Sequence, residues 1–147
     1  MKAMMLNRIC SLTENRNPLQ AVEIPVPEPD DHEILVQVAA CGVCHTELDE
    51  IEGRTPPPRL PIIPGHQVVG SVEKSGREAN CFEVGERVGI AWIYSACGEC
   101  EFCASGSENL CEQFQATGRD ANGGYAEYTK VPEDFAHRIP DNVTNSQ

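Results

Sequence analysis

Apolar and polar positions change their period several times along the chain, and each change marks an element. Residues 2–6 and 19–24 read as two short extended segments. Pro25, Pro27 and Pro29 forbid a helix between them and suit an edge or a connection. Residues 33–40 are rich in β-branched side chains and partly alternate, which predicts a strand. From His45 to Glu52 the period lengthens. Leu48 and Ile51 stand three apart, as on one face of a short helix, and Gly53 is placed to end it. A proline-dense loop fills 54–64. Val68, Val69 and Val72 then mark a strand over 67–73, and residues 85–90 read as a turn followed by a strand. Gly123 and Gly124 break the chain before a late strand over 125–131. No segment repeats. Many short strands with glycine and proline punctuation, and little helix, predict a mainly β, barrel-like fold.

Length and charge narrow the function. A chain of 147 residues, 40% apolar, is the size of one domain with a single core. Its net charge of −12 argues against a nucleic-acid partner and against an anionic membrane surface. No apolar run approaches the roughly 20 residues of a membrane-spanning helix. Met4, Met5 and Leu6 give way at once to Asn7 and Arg8, so nothing near Met1 reads as a signal peptide, and a cytoplasmic protein is expected. Against that background the eight cysteines point to metal thiolates rather than disulfides.

The strongest chemical signal is Cys97-Gly98-Glu99-Cys100-Glu101-Phe102-Cys103, followed by Cys111. Gaps of two residues let a tight loop wrap three thiolates around one ion, and the longer gap containing Gly106 lets the chain turn to deliver a fourth. Zinc in a structural site takes four such ligands in a tetrahedron, leaving no position open for chemistry. Disulfides and an iron–sulfur cluster are the other readings of this spacing.

A second cysteine pair, Cys41 and Cys44, sits where a strand ends and a helix starts. Its spacing suits a redox pair in a βαβ context, whereas Cys41 alone reads as a small buried residue. Cys44 pairs better with His66, which lies in the rigid loop Pro64-Gly65-His66 feeding a strand. Catalytic zinc has three protein ligands and one open position, and only two are evident here.

Gly42-Val43-Cys44-His45-Thr46, Pro64-Gly65-His66, Gly85-Glu86-Arg87-Val88, the four-cysteine lobe and Gly123-Gly124-Tyr125-Ala126-Glu127-Tyr128 occur in this order. Together they resemble the zinc-dependent medium-chain alcohol dehydrogenases, over nearly the whole chain. The resemblance implies a GroES-like, partly open β-barrel with short helices and a zinc lobe over about 92–115, spanning residues 1–147 as an N-terminal catalytic domain. The Rossmann cofactor domain of the family is absent from these residues, which contain no Gly-x-Gly-x-x-Gly fingerprint.

On that resemblance Cys44 and His66 are two ligands of a catalytic zinc, the third being a cysteine beyond Gln147. Thr46 takes the proton of the alcohol, His45 lies near the cofactor pyrophosphate, and Trp92 lines the substrate pocket. Cys97, Cys100, Cys103 and Cys111 hold a structural zinc. The resemblance implies an alcohol or aldehyde substrate, NAD or NADP, a homodimer or homotetramer, and an isolated chain that is inactive. Two positions depart from the pattern. Asp49 stands where many relatives carry the histidine that passes the proton to solvent, and an ordinary aspartate pKa of about 3.9 suits that role poorly. Gln67 stands where most carry a glutamate, which removes one negative charge beside the metal. A related polyol or threonine dehydrogenase competes with this reading. So does a non-enzymatic zinc module, for which Pro58-Arg59-Leu60-Pro61 would serve as a PxxP ligand.

Overall fold

In the computed structural model, which describes residues 1–145, the chain opens with β1 (Lys2–Leu6) and β2 (Leu19–Glu23), paired antiparallel. β3 (Glu33–Cys41) leads into the short helix α1 (His45–Ile51). After the proline loop come β4 (Val68–Ser75), β5 (Arg87–Ile90) and β6 (Ile93–Ser95). The lobe carries α2 (Glu101–Ala104) and a 3-10 turn over Glu108–Leu110. β7 (Gln115–Ala116), β8 (Tyr128–Pro132) and β9 (Ala136–Arg138) follow. The main sheet has the order β8–β3–β4–β5–β9 with every neighbour antiparallel, and β6 and β7 form a small separate ribbon.

Alternation decides which face of this sheet is buried. Ile34 and Val36 on β3, Val68 and Val72 on β4, Val88 on β5 and Val131 on β8 pack into one core. Each fully buried side chain of this kind contributes roughly 1.5–3 kcal/mol relative to exposure. The register of β3 against β4 shifts between Leu35 and Val36 and again between Val38 and Ala40. Such bulges bend a strand and raise its twist, and the sheet curls into a partly open barrel. A second cluster of Leu6, Ile51 and Ile62 ties α1 and the proline loop to β1. The amides and carbonyls of Leu6 and Ile62 exchange hydrogen bonds of 2.8 and 3.0 Å across that contact.

The expected mainly β barrel with short helices is the fold observed. Strand and helix bounds agree to within a few residues, with Gly53 adopting the left-handed φ of 78° that follows α1. The ribbon β6–β7 and the strand β9 were not expected, because runs of two or three residues carry no periodicity. The late strand begins at Tyr128 rather than residue 125, since Gly124 and Tyr125 donate their amides to Gly65 and Pro64 carbonyls instead of joining the ladder. The inward face of α1 also differs. Its buried residues are Glu47, Glu50 and Ile51, whereas Leu48 is only partly covered. Hydrophobic spacing does not register two acids turned inward.

Candidate metal centres

In the lobe, four thiols converge from three directions. Cys100 caps α2 and its sulfur accepts from the Cys103 amide at 3.5 Å. Sulfur–sulfur separations are 3.5 Å for Cys100–Cys103, 3.6 Å for Cys97–Cys111 and 3.9 Å for Cys97–Cys103. A tetrahedron with metal–sulfur bonds of about 2.3 Å has edges of about 3.8 Å. The separations fit one tetrahedral ion. They are far too long for a disulfide, whose sulfurs lie about 2.05 Å apart, and all eight cysteines are free. A cluster of two or four irons would share the thiolates among several metals and spread them more widely than one ion does. Backbone amides of Glu99 and Cys100 bring the Cys97 thiol down to about 7, while burial pushes that of Cys103 up to about 12. A divalent cation at the centre would offset the repulsion of four thiolates and favour their common deprotonation.

The second centre forms where β3, α1 and β4 meet. Cys44 is the N-cap of α1, with φ −115° and ψ 160°. His66, 5% exposed, enters β4 behind Gly65. Gly65 has φ 98°, and a Cβ there would lie 2.7 Å from the Tyr125 ring and 2.9 Å from the Cys41 sulfur. Only glycine fits this approach, so the direction of His66 depends on it.

Glu47 joins the pair. Its Oε2 accepts from the Cys44 amide at 2.7 Å. Its Oε1 lies 2.8 Å from His66 Nδ1, an ion-pair contact without hydrogen-bond alignment. Ligand atoms of Cys44, Glu47 and His66 all lie within 4.8 Å of one another. With the Glu47 carboxylate beside Nδ1, Nε2 is the ring nitrogen that would be free to bind a metal. Sequence reasoning missed Glu47. The signal was available in the spacing Cys44-x-x-Glu47, an N-cap followed by an acid three residues on.

The other expected residues surround this pair. Thr46 Oγ1 is 3.6 Å from Cys44 Sγ. His45 is exposed at the start of α1, with Nδ1 3.5 Å from Asp49 Oδ1. Arg54 donates from Nε to Asp49, and this hydrogen bond, more than His45, holds the Asp49 carboxyl below the usual aspartate range. Gln67 packs over Gly42, whose amide donates to the Gln67 carbonyl at 2.8 Å. Trp92 and His66 line one cleft of about 820 Å³. Cys41 stays apart from the ligand cluster, half-buried, its thiol pushed up to about 11 by burial. Glu50 is 1% exposed and neither carboxylate oxygen has a hydrogen-bond partner among the described residues. Burial, and secondarily the charge of Glu47, raises its pKa to about 7.

A four-thiol lobe beside a curled antiparallel sheet, with a Cys–His pair between β3 and β4, defines a GroES-like domain. The chain belongs to the alcohol dehydrogenase GroES-like domain family, which it matches over residues 30–141. It is 48% identical over 130 residues to an alcohol dehydrogenase of Geobacillus stearothermophilus, covering 88% of this chain and 39% of that protein. It is 49% identical over 135 residues to the probable alcohol dehydrogenase AdhA of Mycobacterium tuberculosis, again covering 88% and 39%. Among solved structures it resembles an NAD-dependent alcohol dehydrogenase, with a TM-score of 0.87, 30% identity, and coverage of 99% of this chain and 41% of that one. A cobalt- and zinc-bound thermostable alcohol dehydrogenase from Pyrobaculum aerophilum superposes with a TM-score of 0.85 at 29% identity, covering 95% and 41%. The chain thus spans about two fifths of the length of these relatives. No helix among the described residues is long and apolar enough to cross a membrane.

Proposed function

We propose that residues 1–147 form the N-terminal catalytic domain of a zinc-dependent, NAD- or NADP-linked alcohol dehydrogenase that works in the cytoplasm as a homodimer or homotetramer. The convergence of Cys44, His66 and Glu47 carries this reading. A thiol and an imidazole backed by a buried carboxylate suit zinc, and a pair of ligands leaves room for a third from another segment and for a substrate. Cys97, Cys100, Cys103 and Cys111 would hold a second zinc whose role is to fix the lobe.

Cys44 and His66 would hold a zinc ion, which would supply Lewis acidity toward the alcohol. Nicotinamide supplies the hydride acceptor, held by a second domain. The residues of this chain do the rest. Glu47 stands 2.8 Å from Nδ1 of His66, which leaves Nε2 to face the metal. The Thr46 hydroxyl, beside the Cys44 sulfur, takes the proton of the alcohol and passes it outward. His45, exposed at the start of α1, stands ready for the cofactor pyrophosphate. Asp49 closes the outer end of the path, but its contact with Arg54 keeps it an anion and a poor acceptor near neutral pH.

Native mass spectrometry and alcohol oxidation assays test the proposal together. The 147-residue chain is expected to hold one zinc and to be inactive. The intact protein is expected to hold two per subunit and to oxidise alcohols with NAD or NADP. A chain free of zinc, or turnover by the isolated 147 residues, would overturn it.

A further inference from the structure

Trp92 is the only tryptophan of the chain. It stands between β5 and β6, 38% exposed, on the cleft that His66 and Gln67 also line. One neighbouring segment holds both its backbone and its ring. The Trp92 carbonyl accepts from the Thr117 amide at 2.8 Å. The Phe114 ring lies 5.2 Å from the indole, tilted by 54°. The Arg119 guanidinium carbon is 5.9 Å from the Trp92 ring centre and 5.3 Å from that of Phe114, so one cation covers both rings.

Arg119 is itself tied down. Its Nε donates to Asp120 Oδ2 at 2.9 Å and its Nη2 lies 2.7 Å from the same oxygen. That oxygen also accepts the Ala116 amide at 2.8 Å. Ala116 belongs to β7, which pairs with β6 at Ile93, the residue after Trp92. A closed circuit therefore runs from the indole through Arg119 and Asp120 to the ribbon that carries the indole. A partly exposed tryptophan without such a circuit changes rotamer freely.

We infer that Arg119 is a positioning residue: it locks the Trp92 indole as a rigid wall of the cleft and makes the site select slender, uncharged alcohols over bulky or branched ones. The inference rests on the alcohol dehydrogenase reading of that cleft. Beside Trp92, Val68, Val69, Ile90 and Ala91 give the cleft an apolar wall, His66, Gln67 and Asn145 supply its polar groups, and no Lys, Arg, Asp or Glu lines it among the described residues. An uncharged apolar tail suits such walls. A mobile indole would yield to a bulky tail, whereas a locked one excludes it.

Because Trp92 is alone, its spectra report the clamp directly and without turnover. In the 147-residue chain, Arg119→Ala is expected to reduce the near-ultraviolet circular dichroism of the indole at least twofold and to raise acrylamide quenching at least twofold. Far-ultraviolet dichroism and lobe zinc content should stay unchanged. Arg119→Lys keeps the charge but loses the fork on Asp120, and should recover part of both signals. In the intact protein, Arg119→Ala should raise kcat/KM for 3-methyl-1-butanol relative to 1-propanol about tenfold, mainly through KM. Unchanged indole spectra in both variants, or an unchanged substrate ratio, would overturn the inference. If Arg119→Ala fails to fold, Arg119→Lys alone decides: wild-type indole spectra overturn the inference and reduced ones support it. An intact wild-type protein that oxidises neither alcohol would overturn the dehydrogenase reading and the selectivity claim with it, and altered indole spectra would then show the clamp alone.

Discussion

Glu47 Oε1 lies 2.8 Å from His66 Nδ1, and both side chains are almost wholly buried. The contact sets α1 against the segment entering β4 and leaves Nε2 as the imidazole nitrogen that would face a metal. Carboxylates in this role contribute 10- to 100-fold to metal affinity. Glu47→Gln in the intact protein is therefore expected to release zinc from the Cys44–His66 centre at least about tenfold more readily. Competition with a zinc chelator measures it, and an unchanged affinity would remove Glu47 from the site.

The lobe depends on its ion in a different way. Its secondary structure is one turn of helix and a 3-10 turn, with Cys111 the only buried member of its thiol cluster. Such a segment buries too little apolar surface to order itself. Cys103→Ser is expected to lower the zinc count of the 147-residue chain by one and to reduce Tm by on the order of 10 °C. Elemental analysis with calorimetry checks both. Retention of zinc at full stoichiometry would contradict the four-thiolate assignment.

Glu50 makes stability depend on pH. Its pKa rises from 4.5 to about 7, chiefly through burial. A raised pKa means that the folded state holds a proton which the unfolded state has already lost. The stability it contributes is fully present below about 4.5 and is lost as pH climbs through about 7. The size is on the order of 3 kcal/mol. Glu50→Gln should flatten this loss, so that the variant gains on the wild type between pH 5 and pH 8 in urea melts of the 147-residue chain. Parallel pH profiles would show that Glu50 titrates normally.

Asp49 offers a gain of function. It is held as an anion by Arg54 and, more weakly, by His45. A group that titrates near the working pH transfers protons better than one several pH units below it. Asp49→His in the intact protein is expected to raise kcat at pH 7 by up to about tenfold, with the largest effect where proton release limits turnover. Stopped-flow measurement with a pH indicator tests this. A variant slower than wild type at every pH would place the proton path elsewhere.

Local chemistry determined much of this protein. Strand alternation in residues 33–40 and 67–73, the short helix before Gly53, and the spacing of Cys97, Cys100, Cys103 and Cys111 are properties of contiguous sequence. Periodicity and ligand spacing act within a few residues, so they can be read before folding. Cys44 and His66 could be singled out in the same way, through short motifs, whereas His45, Thr46, Asp49 and Trp92 stood out only through the resemblance to zinc-dependent alcohol dehydrogenases. What those motifs do not contain is distance. Only the tertiary structure brings Glu47 between Cys44 and His66, because β3 and β4 pair antiparallel and set α1 against the turn at Gly65. Burial of Glu50, and the circuit that joins Trp92 to Arg119 and Asp120 across the β6–β7 ribbon, likewise arise only when distant segments meet. Hydrophobic spacing predicts that an apolar face turns inward, and at α1 it was overruled by acids held inside next to a candidate metal centre. Such an exception is decided by three-dimensional packing and the charges it confines.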